Sequence, residues 1–179
     1  MTDTWTGCYS RGWGKDLTPE AYQHPAKVSF KLAERIYQHA LEEGWVKAGD
    51  VVLDPMCGIA GFGLHALLNG LNFCGIELEP RFVDLAQKNI ALWRHKFRAL
   101  PNLGRALVVQ GDSRQLKAVL ERASGLDMIC SSPPYAEGIG HGHAGRNANK
   151  DSYPERYAAQ EKYASAFESE GNLGSMPEG

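Results

Sequence analysis

The chain has 179 residues, 43% of them hydrophobic, so its length and composition predict one domain with a packed core. No apolar run reaches the roughly 18 residues of a membrane span, and no signal peptide is recognisable, so we expect a cytoplasmic protein. The net charge of −2 gives no general excess of Lys and Arg for binding nucleic acid. Four cysteines without C-x-x-C spacing argue against a zinc site or a disulfide framework.

An aromatic segment, residues 1–23, begins the chain. Its large aromatic residues lie among glycines and polar residues, at Trp5, Tyr9, Trp13 and Tyr22. Because this spacing is too irregular for a helix, we expect an extended arm that packs on the domain. A base-stacking surface is the alternative use of these side chains, although core packing is the commoner one.

From residue 27 onward, the pattern predicts alternating helices and strands. Apolar residues at helical spacing predict helices over about 27–43, 63–69 and 80–97, with a short one around Leu116, Val119 and Leu120. Apolar runs predict strands at 51–54, 73–79, 107–110 and 127–130. Helical crossovers require parallel pairing, so we expect a doubly wound, mostly parallel α/β sheet with both faces covered.

The turn after the first strand predicts a nucleotide pocket. Asp54 ends the strand, where open α/β sheets bind ligands. Glycines at 58, 61 and 63 let the backbone approach a ligand at a helix start, whose free N–H groups point outward. A strand-to-helix turn without any ligand is the alternative interpretation.

Carboxylates follow three successive predicted strands. They are Asp54, then Glu77 or Glu79, then Asp112. Because parallel strands end at the same edge of a sheet, these side chains should line one edge. Repetition of an acidic residue at each strand end is improbable by chance and supports the pocket.

A second motif, Ser132-Pro133-Pro134-Tyr135, follows the fourth predicted strand. The two prolines fix the backbone and remove two N–H donors, so the Ser132 hydroxyl and the carbonyls face the pocket as acceptors. Such acceptors suit an amino group, and Tyr135 offers a flat face to a planar ring. A rigid turn with an aromatic plug is the alternative.

Together these residues resemble the DNA amino-methyltransferases over residues 24–135. His24-Pro25-Ala26-Lys27 resembles motif X of that family, and Asp54-Pro55-Met56-Cys57-Gly58 resembles motif I. Gly75 to Pro80 and Gly111-Asp112-Ser113 resemble motifs II and III, with Ser-Pro-Pro-Tyr as motif IV. The combination and its order are more specific than any one motif, and they imply a Rossmann-like methyltransferase fold.

The resemblance implies S-adenosyl-L-methionine as the methyl donor and assigns a role to each motif. Asp54 and the backbone of Cys57 to Gly61 would adjoin the methionine moiety, Glu77 would hold the ribose, and Asp112 would accept from the adenine amino group. The complete cofactor set is His24, Pro25, Asp54, Pro55, Met56, Cys57, Gly58, Gly61, Glu77, Leu78, Asp112 and Ser113. The catalytic set is Ser132, Pro133, Pro134 and Tyr135.

Ser at the head of motif IV resembles the enzymes that methylate cytosine N4, with adenine N6 open as a second target. The expected substrate is double-stranded DNA with a flipped base. Methylation of an RNA base or a protein amide is a second hypothesis. A fragment that binds cofactor or a partner without catalysis is a third.

The segment 136–179 is rich in glycine and polar residues and predicts a flexible loop. His141 and His143 have the spacing of a metal pair, but such a loop without a third ligand predicts no metal site. Family members continue with further strands, so this chain looks truncated. We expect a homodimer or a partner chain to cover the open sheet edge.

Overall fold

The computed structural model describes residues 4–24, 27–117 and 125–132. Within them, four parallel strands form one sheet: β1 (Val51–Asp54), β2 (Asn72–Glu77), β3 (Ala106–Gln110) and β4 (Met128–Ile129). The helices are α1 (Phe30–Glu42), α2 (Gly61–Leu68) and α3 (Pro80–Lys96). The strand order is β3-β2-β1-β4. The predicted parallel α/β architecture is confirmed.

The strand register brings the carboxyl ends of all four strands to one edge of the sheet. Asp54, the last residue of β1, pairs with Gly75 of β2, and Glu77 at the end of β2 pairs with Gln110 of β3. On the other side of β1, Leu53 pairs with Ile129 of β4. The central position of β1 therefore places its terminal carboxylate between the ends of β2 and β4.

The two faces of the sheet differ in how far they are covered. Phe73 is buried under α2, where an added Cβ on Gly63 would lie 3.0 Å from its ring. On the opposite face, one residue from each strand lines up in a row across the sheet: Leu107, Cys74, Leu53 and Ile129. Leu107 and Ile129 on the outer strands are 60% and 61% exposed. The prediction of cover on both faces is therefore wrong at these two positions.

The amino-terminal arm packs on the domain, as predicted, but it is not extended. Two 3₁₀ turns, Gly14–Asp16 and Pro19–Gln23, shape it, and the fixed φ of Pro19 favours the second turn. Trp13 is buried against Phe30 with ring centroids 5.2 Å apart, and its indole N–H donates to the Val28 carbonyl at 2.9 Å.

A buried ion cluster anchors the same arm to α3. The Asp16 carboxylate accepts from Arg11 at 3.2 Å and from Lys96, while Trp93 donates its indole N–H to the Asp16 carbonyl. Asp16 is only 4% exposed, so the two cations offset the cost of burying its charge. The arm is therefore part of the folded core.

Some element boundaries differ from the predicted ones for identifiable reasons. α1 begins at Phe30 rather than residue 27, because the arm occupies the Val28 carbonyl and the Ser29 hydroxyl as hydrogen-bond partners. β4 is shorter than predicted, yet the amides of Asp127 and Cys130 still donate to the Val51 and Leu53 carbonyls of β1 at 3.0 and 2.9 Å.

Most of the helix predicted around Leu116, Val119 and Leu120 lies outside the described residues, and so does the segment 136–179. A 3₁₀ turn, Ser113–Gln115, begins the described part of that region. Among the described residues, no helix has both the length and the apolarity needed to cross a membrane.

We predict that Gly104→Ala strongly destabilises the fold. The Gly104 amide donates to the Leu67 carbonyl at 2.9 Å, and an added Cβ would lie 1.8 Å from the Leu71 carbonyl oxygen. Backbone cannot yield there, so we expect the unfolding free energy to fall by about 3 kcal/mol or more in urea titrations. Gly12→Ala is the control, because nothing lies within 4 Å of its added Cβ. Equal losses in the two variants would contradict this explanation.

Candidate functional site

The loop between β1 and α2, residues 55–60, is the centre of the candidate site. Two of its residues have left-handed backbone, Gly58 with φ +51° and Ala60 with φ +63°. Alanine in this conformation costs roughly 1–2 kcal/mol, so the surroundings must hold the loop in place. Among the described residues, Ala60 is the one non-glycine residue with a positive φ.

Glu77, at the end of β2, holds the middle of this loop. One carboxylate oxygen accepts from the Gly58 amide at 2.8 Å, and the other accepts from the Glu79 amide at 2.9 Å. Next to this pair, the Cys57 amide donates to the Ile76 carbonyl of β2 at 2.9 Å. A carboxylate offers about four lone-pair sites. Glu77 thus retains acceptor capacity for hydroxyl donors after both backbone contacts.

Asn89 of α3 holds the carbonyl that precedes the strained alanine. Its side-chain N–H donates to the Ile59 carbonyl at 3.0 Å. Its side-chain oxygen accepts from the amide and the hydroxyl of Thr18 in the arm, at 2.9 and 3.1 Å. Asn89 is fully buried, so these contacts are not shared with solvent. The amino-terminal arm is thereby connected to the glycine turn through one side chain.

Residues after β3 contact the beginning of the loop. The Ser113 hydroxyl donates to the Pro55 carbonyl. Beside it, the Asp112 carboxylate accepts from the guanidinium of Arg114 through Nε at 3.0 Å and Nη2 at 2.6 Å. This cation holds the pKa of Asp112 below its usual range. A ligand amino group would therefore share the Asp112 carboxylate with Arg114.

Asp54 ends β1 and is only 2% exposed. One of its oxygens accepts from the Ser131 hydroxyl at 2.7 Å and from the Met56 amide at 3.1 Å. The pKa of Asp54 is raised to about 7, chiefly by burial and to a smaller extent by the Glu77 charge, while the two hydrogen bonds act in the opposite direction. The carboxylate is thus poised to change its charge near neutral pH.

His24 covers the glycine turn. Its ring packs edge-on against Phe82 of α3, with centroids 4.3 Å apart. An added Cβ on Gly58 would lie 2.9 Å from His24 Nε2. The absence of a side chain at residue 58 therefore allows both the left-handed backbone and the close approach of the imidazole.

The neighbouring glycines serve packing. An added Cβ on Gly61 would lie 2.8 Å from a Val28 methyl group, and one on Gly63 would meet the Phe73 ring. The absent side chain of Gly63 therefore makes room for β2 rather than for a ligand. Gly61 is the first residue of α2, so its amide lies at the start of the helix.

The structure brings most of the predicted cofactor residues to one sheet edge. Direct hydrogen bonds join Asp54 to Met56, Gly58 to Glu77, and Ser113 to Pro55. The Leu78 carbonyl accepts from Gln110 at 3.3 Å, and Ser132 is exposed beside Ser131. Four predicted site residues lie outside the described residues: Pro25, Pro133, Pro134 and Tyr135.

Sequence reasoning missed two residues of this arrangement. Asn89 occupies the apolar face of α3 beside Leu85 and Ile90, and a polar amide on such a face could have signalled a buried hydrogen bond. Ser131 carries no comparable signal, since nothing distinguishes it locally from Ser132. Neither residue belonged to the predicted set.

No group of three metal-ligating side chains occurs in the part of the chain that the structure describes. His141 and His143 lie outside it. All four cysteines are free, with Cys57 and Cys130 buried.

Residues 1–88 match the protein family described as DNA methylase. The resemblance to the DNA amino-methyltransferases is confirmed. Type II methyltransferase M2.DpnII from Streptococcus pneumoniae is 32% identical over 90 residues, which cover 50% of this chain and 30% of that protein. A tRNA (guanine(10)-N2)-dimethyltransferase from Methanothermobacter thermautotrophicus is 30% identical over 127 residues, which cover 71% of this chain and 32% of that protein.

A solved structure shows the same fold. The rRNA methyltransferase aviRa from Streptomyces viridochromogenes aligns with a TM-score of 0.55 and 20% identity, over 75% of this chain and 72% of that one. The chain thus has the Rossmann-like methyltransferase fold. The aligned part spans about a third or less of the length of the curated relatives named above.

S-adenosyl-L-methionine is the cofactor that the DNA methylase family and this fold imply, and the residues of the site fit it. Glu77 is oriented by two backbone amides with acceptor sites to spare, as a pair of ribose hydroxyls requires. Gly58 lets the His24 ring approach the turn closely, so an imidazole lies beside the loop that would adjoin the methionine end. Asp54 and Glu77 supply negative charge toward a cationic methyl donor.

We predict that Gly58→Ala lowers the unfolding free energy more than the same substitution at a left-handed glycine elsewhere. The added methyl group would meet His24 in addition to straining the backbone. Gly44→Ala is the control, because Gly44 has φ +70° with nothing within 4 Å of its added Cβ. We expect about 1–2 kcal/mol of destabilisation in the control and a larger loss in Gly58→Ala, measured by urea unfolding. Identical losses would show that His24 imposes no constraint.

We also predict opposite pH dependences for two buried groups. Asp54 has a folded-state pKa of about 7, above its unfolded value, so its contribution to stability is present at low pH and is lost as the pH rises toward 7. Burial lowers the pKa of His65 to about 4, so its contribution is present above pH 6.5 and is lost as the pH falls toward 4.

Unfolding free energies of Asp54→Asn and His65→Leu, relative to the unchanged chain, test this prediction between pH 4 and 8. The Asp54→Asn variant should gain on the order of 4 kcal/mol as the pH rises, since about 1.4 kcal/mol accompanies each unit of pKa. The His65→Leu variant should gain on the order of 3 kcal/mol as the pH falls. Parallel profiles for the two variants would contradict the assignment.

Proposed function

We propose that this chain carries the donor-binding core of an S-adenosylmethionine-dependent methyltransferase that acts on an exocyclic amino group of a DNA base. Cytosine N4 is the favoured target, and adenine N6 is the second. The observation that carries the proposal is the 2.7 Å hydrogen bond from Ser131 to Asp54. Through it, the motif that begins at Ser132 starts next to the glycine turn.

Each side chain at the sheet edge has a proposed task in donor binding. Glu77 accepts from the ribose hydroxyls, and Asp112 accepts from the adenine amino group beside Arg114. His24 and Pro25 cover the ligand above Gly58. Asp54 and the loop backbone adjoin the methionine end, where negative charge favours a cation. When bound, the cofactor supplies an electrophilic methyl group.

The acceptor side is proposed for Ser132, Pro133, Pro134 and Tyr135. The Ser132 hydroxyl and the Pro133 carbonyl accept hydrogen bonds from the amino group, which directs its lone pair toward the donor. Tyr135 stacks on the flipped base. Because an alkylated amine loses its proton readily, Ser132 does not need to act as a strong base.

Segments outside this core have proposed tasks as well. We assign residues 24–135 to the catalytic core, residues 1–23 to the arm and residues 136–179, which lie outside the described residues, to a tail. A second copy or a partner chain would cover the open sheet edge beside the exposed Ile129. With a net charge of −2, that partner would also supply much of the affinity for DNA phosphates.

RNA is a second candidate substrate, supported by the relatives. The tRNA relative is named for a reaction at N2 of guanine, which is also an exocyclic amino group. The same acceptor geometry would suit such a group.

Radiolabelled methyl transfer to DNA, RNA and protein, together with calorimetry of donor binding, tests the proposal. Ser132→Ala should keep the donor affinity and lower transfer to DNA at least about 100-fold, since it removes a contact to the reacting group. Glu77→Gln should weaken donor binding at least about tenfold, because its amide places a donor against a backbone amide. Ser10→Ala removes an exposed arm hydroxyl and should change neither quantity.

The possible outcomes separate the hypotheses. Transfer to RNA or protein alone would replace DNA as the substrate class. Donor binding without any transfer would identify a non-catalytic fragment. Normal transfer by Ser132→Ala would contradict its role, and failure to bind the donor would overturn the whole proposal.

A further inference from the structure

We propose that Ser131 is a positioning residue whose hydroxyl keeps Asp54 ionised and oriented for the cationic methyl donor. This inference rests on the proposed function, because it assumes that the donor binds beside Asp54. It assigns a role to a residue outside both predicted motifs. It also joins the donor side and the acceptor side of the site through one hydrogen bond.

Backbone pairing fixes the position of Ser131. The Cys130 amide donates to the Leu53 carbonyl at 2.9 Å, which aligns the end of β4 with the end of β1. The next residue is Ser131, and its hydroxyl reaches the Asp54 carboxylate at 2.7 Å. A hydroxyl that donates to a carboxylate stabilises its charged form, and such bonds are stronger than bonds between neutral groups.

Few donors offset the burial of Asp54. Within the described residues, the hydrogen bonds to its carboxylate come from the Ser131 hydroxyl and the Met56 amide, and both reach the same oxygen. The Met56 amide is part of the backbone and stays in any variant. Among the described side chains, the Ser131 hydroxyl is therefore the hydrogen-bond donor whose substitution can change the ionisation of Asp54.

None of the described titratable groups that face Asp54 carries a positive charge. The ionised form of Asp54 therefore depends on the Ser131 hydroxyl and the Met56 amide. Among the described residues, these titratable groups are Tyr37 from α1, Cys57 from the loop, Cys130 directly after β4 and Glu77 from β2. Burial raises the pKa of Tyr37 and of both thiols, to about 12 for Cys130, so these three stay neutral through pH 9. Glu77 adds negative charge and opposes ionisation of Asp54.

Donor binding should consequently depend on pH. The sulfonium and ammonium groups of S-adenosylmethionine are cations, and they favour the ionised form of a neighbouring carboxyl. Below neutral pH, binding must therefore release the proton from Asp54, and the affinity falls by up to tenfold for each unit of pH. Loss of the Ser131 hydroxyl should move this fall to higher pH.

Donor affinity measured by calorimetry from pH 6 to 9 tests the inference. We expect Ser131→Ala to bind the donor roughly tenfold more weakly at pH 6 and within about twofold of the unchanged chain at pH 9, as a shift of one unit predicts. Ser131→Thr keeps a hydroxyl and should restore the original profile. Titration of the ligand itself is common to all variants and cancels in the comparison.

Ser113→Ala is the matched control. It also removes a hydroxyl bonded at the end of β1, but that partner is the Pro55 carbonyl, the residue after Asp54, and a carbonyl does not titrate. Its donor affinity can fall, yet the pH midpoint of that affinity should stay unchanged. A purely structural role for Ser131 predicts the same behaviour for both variants, and that result would overturn the inference.

Carbon-13 NMR of the side-chain carboxyls in ligand-free protein separates this inference from the proposed function. The midpoint of the Asp54 titration should rise in Ser131→Ala and stay unchanged in Ser113→Ala. An unchanged midpoint in Ser131→Ala would overturn the role of Ser131. A raised midpoint without donor binding in any variant would instead overturn the proposed function, and with it the coupling to the donor.

Discussion

The structure depends on hydrogen bonds that hold the loop between β1 and α2 in a strained path. Parallel strands end at one sheet edge, so side chains from β2 and from the turn after β3 reach this loop, and one that follows β4 reaches Asp54 directly before it. Glu77 and Ser113 provide the contacts to the loop, Asn89 adds one from α3, and Ser131 binds Asp54, which also accepts from the Met56 amide. Each bond contributes about 1 kcal/mol net, which together offset the roughly 1–2 kcal/mol cost of a left-handed Ala60.

The amino-terminal arm belongs to the same network. The Asn89 side chain donates to the Ile59 carbonyl in the same orientation that directs its oxygen toward Thr18 of the arm. Thr18 is held in turn by the turns around Trp13 and Asp16, which pack on α1 and α3. Packing at the far side of the arm therefore fixes the backbone of the glycine turn. A segment with little regular structure thus contributes directly to the geometry of the site.

The sequence alone predicted the alternation of elements and the placement of acidic residues at strand ends, because periodicity and chain direction are local properties. It did not reveal the reason for Gly63, whose absent side chain accommodates Phe73, or the pairing of Asp112 with Arg114. It did not separate Ser131 from Ser132 either. Those features depend on which residues meet across the sheet edge, and only the register of distant strands decides that.

Two carboxyl groups at the sheet edge lie in surroundings that disfavour their charge. Asp54 is buried and Glu77 is partly buried, and burial together with neighbouring negative charge raises the pKa of each. The arrangement costs stability as the pH rises and the two groups become charged in a poorly solvated place. Asp112, in contrast, has its pKa lowered by the Arg114 cation and carries no such cost. Among the described residues, no cation forms an ion pair with these two carboxylates, so they are poorly placed for stability but well placed to bind a cation, since a cationic ligand would restore the charge balance. Under the proposed function, the same two residues therefore cost stability in the ligand-free protein and favour the complex with the cationic donor.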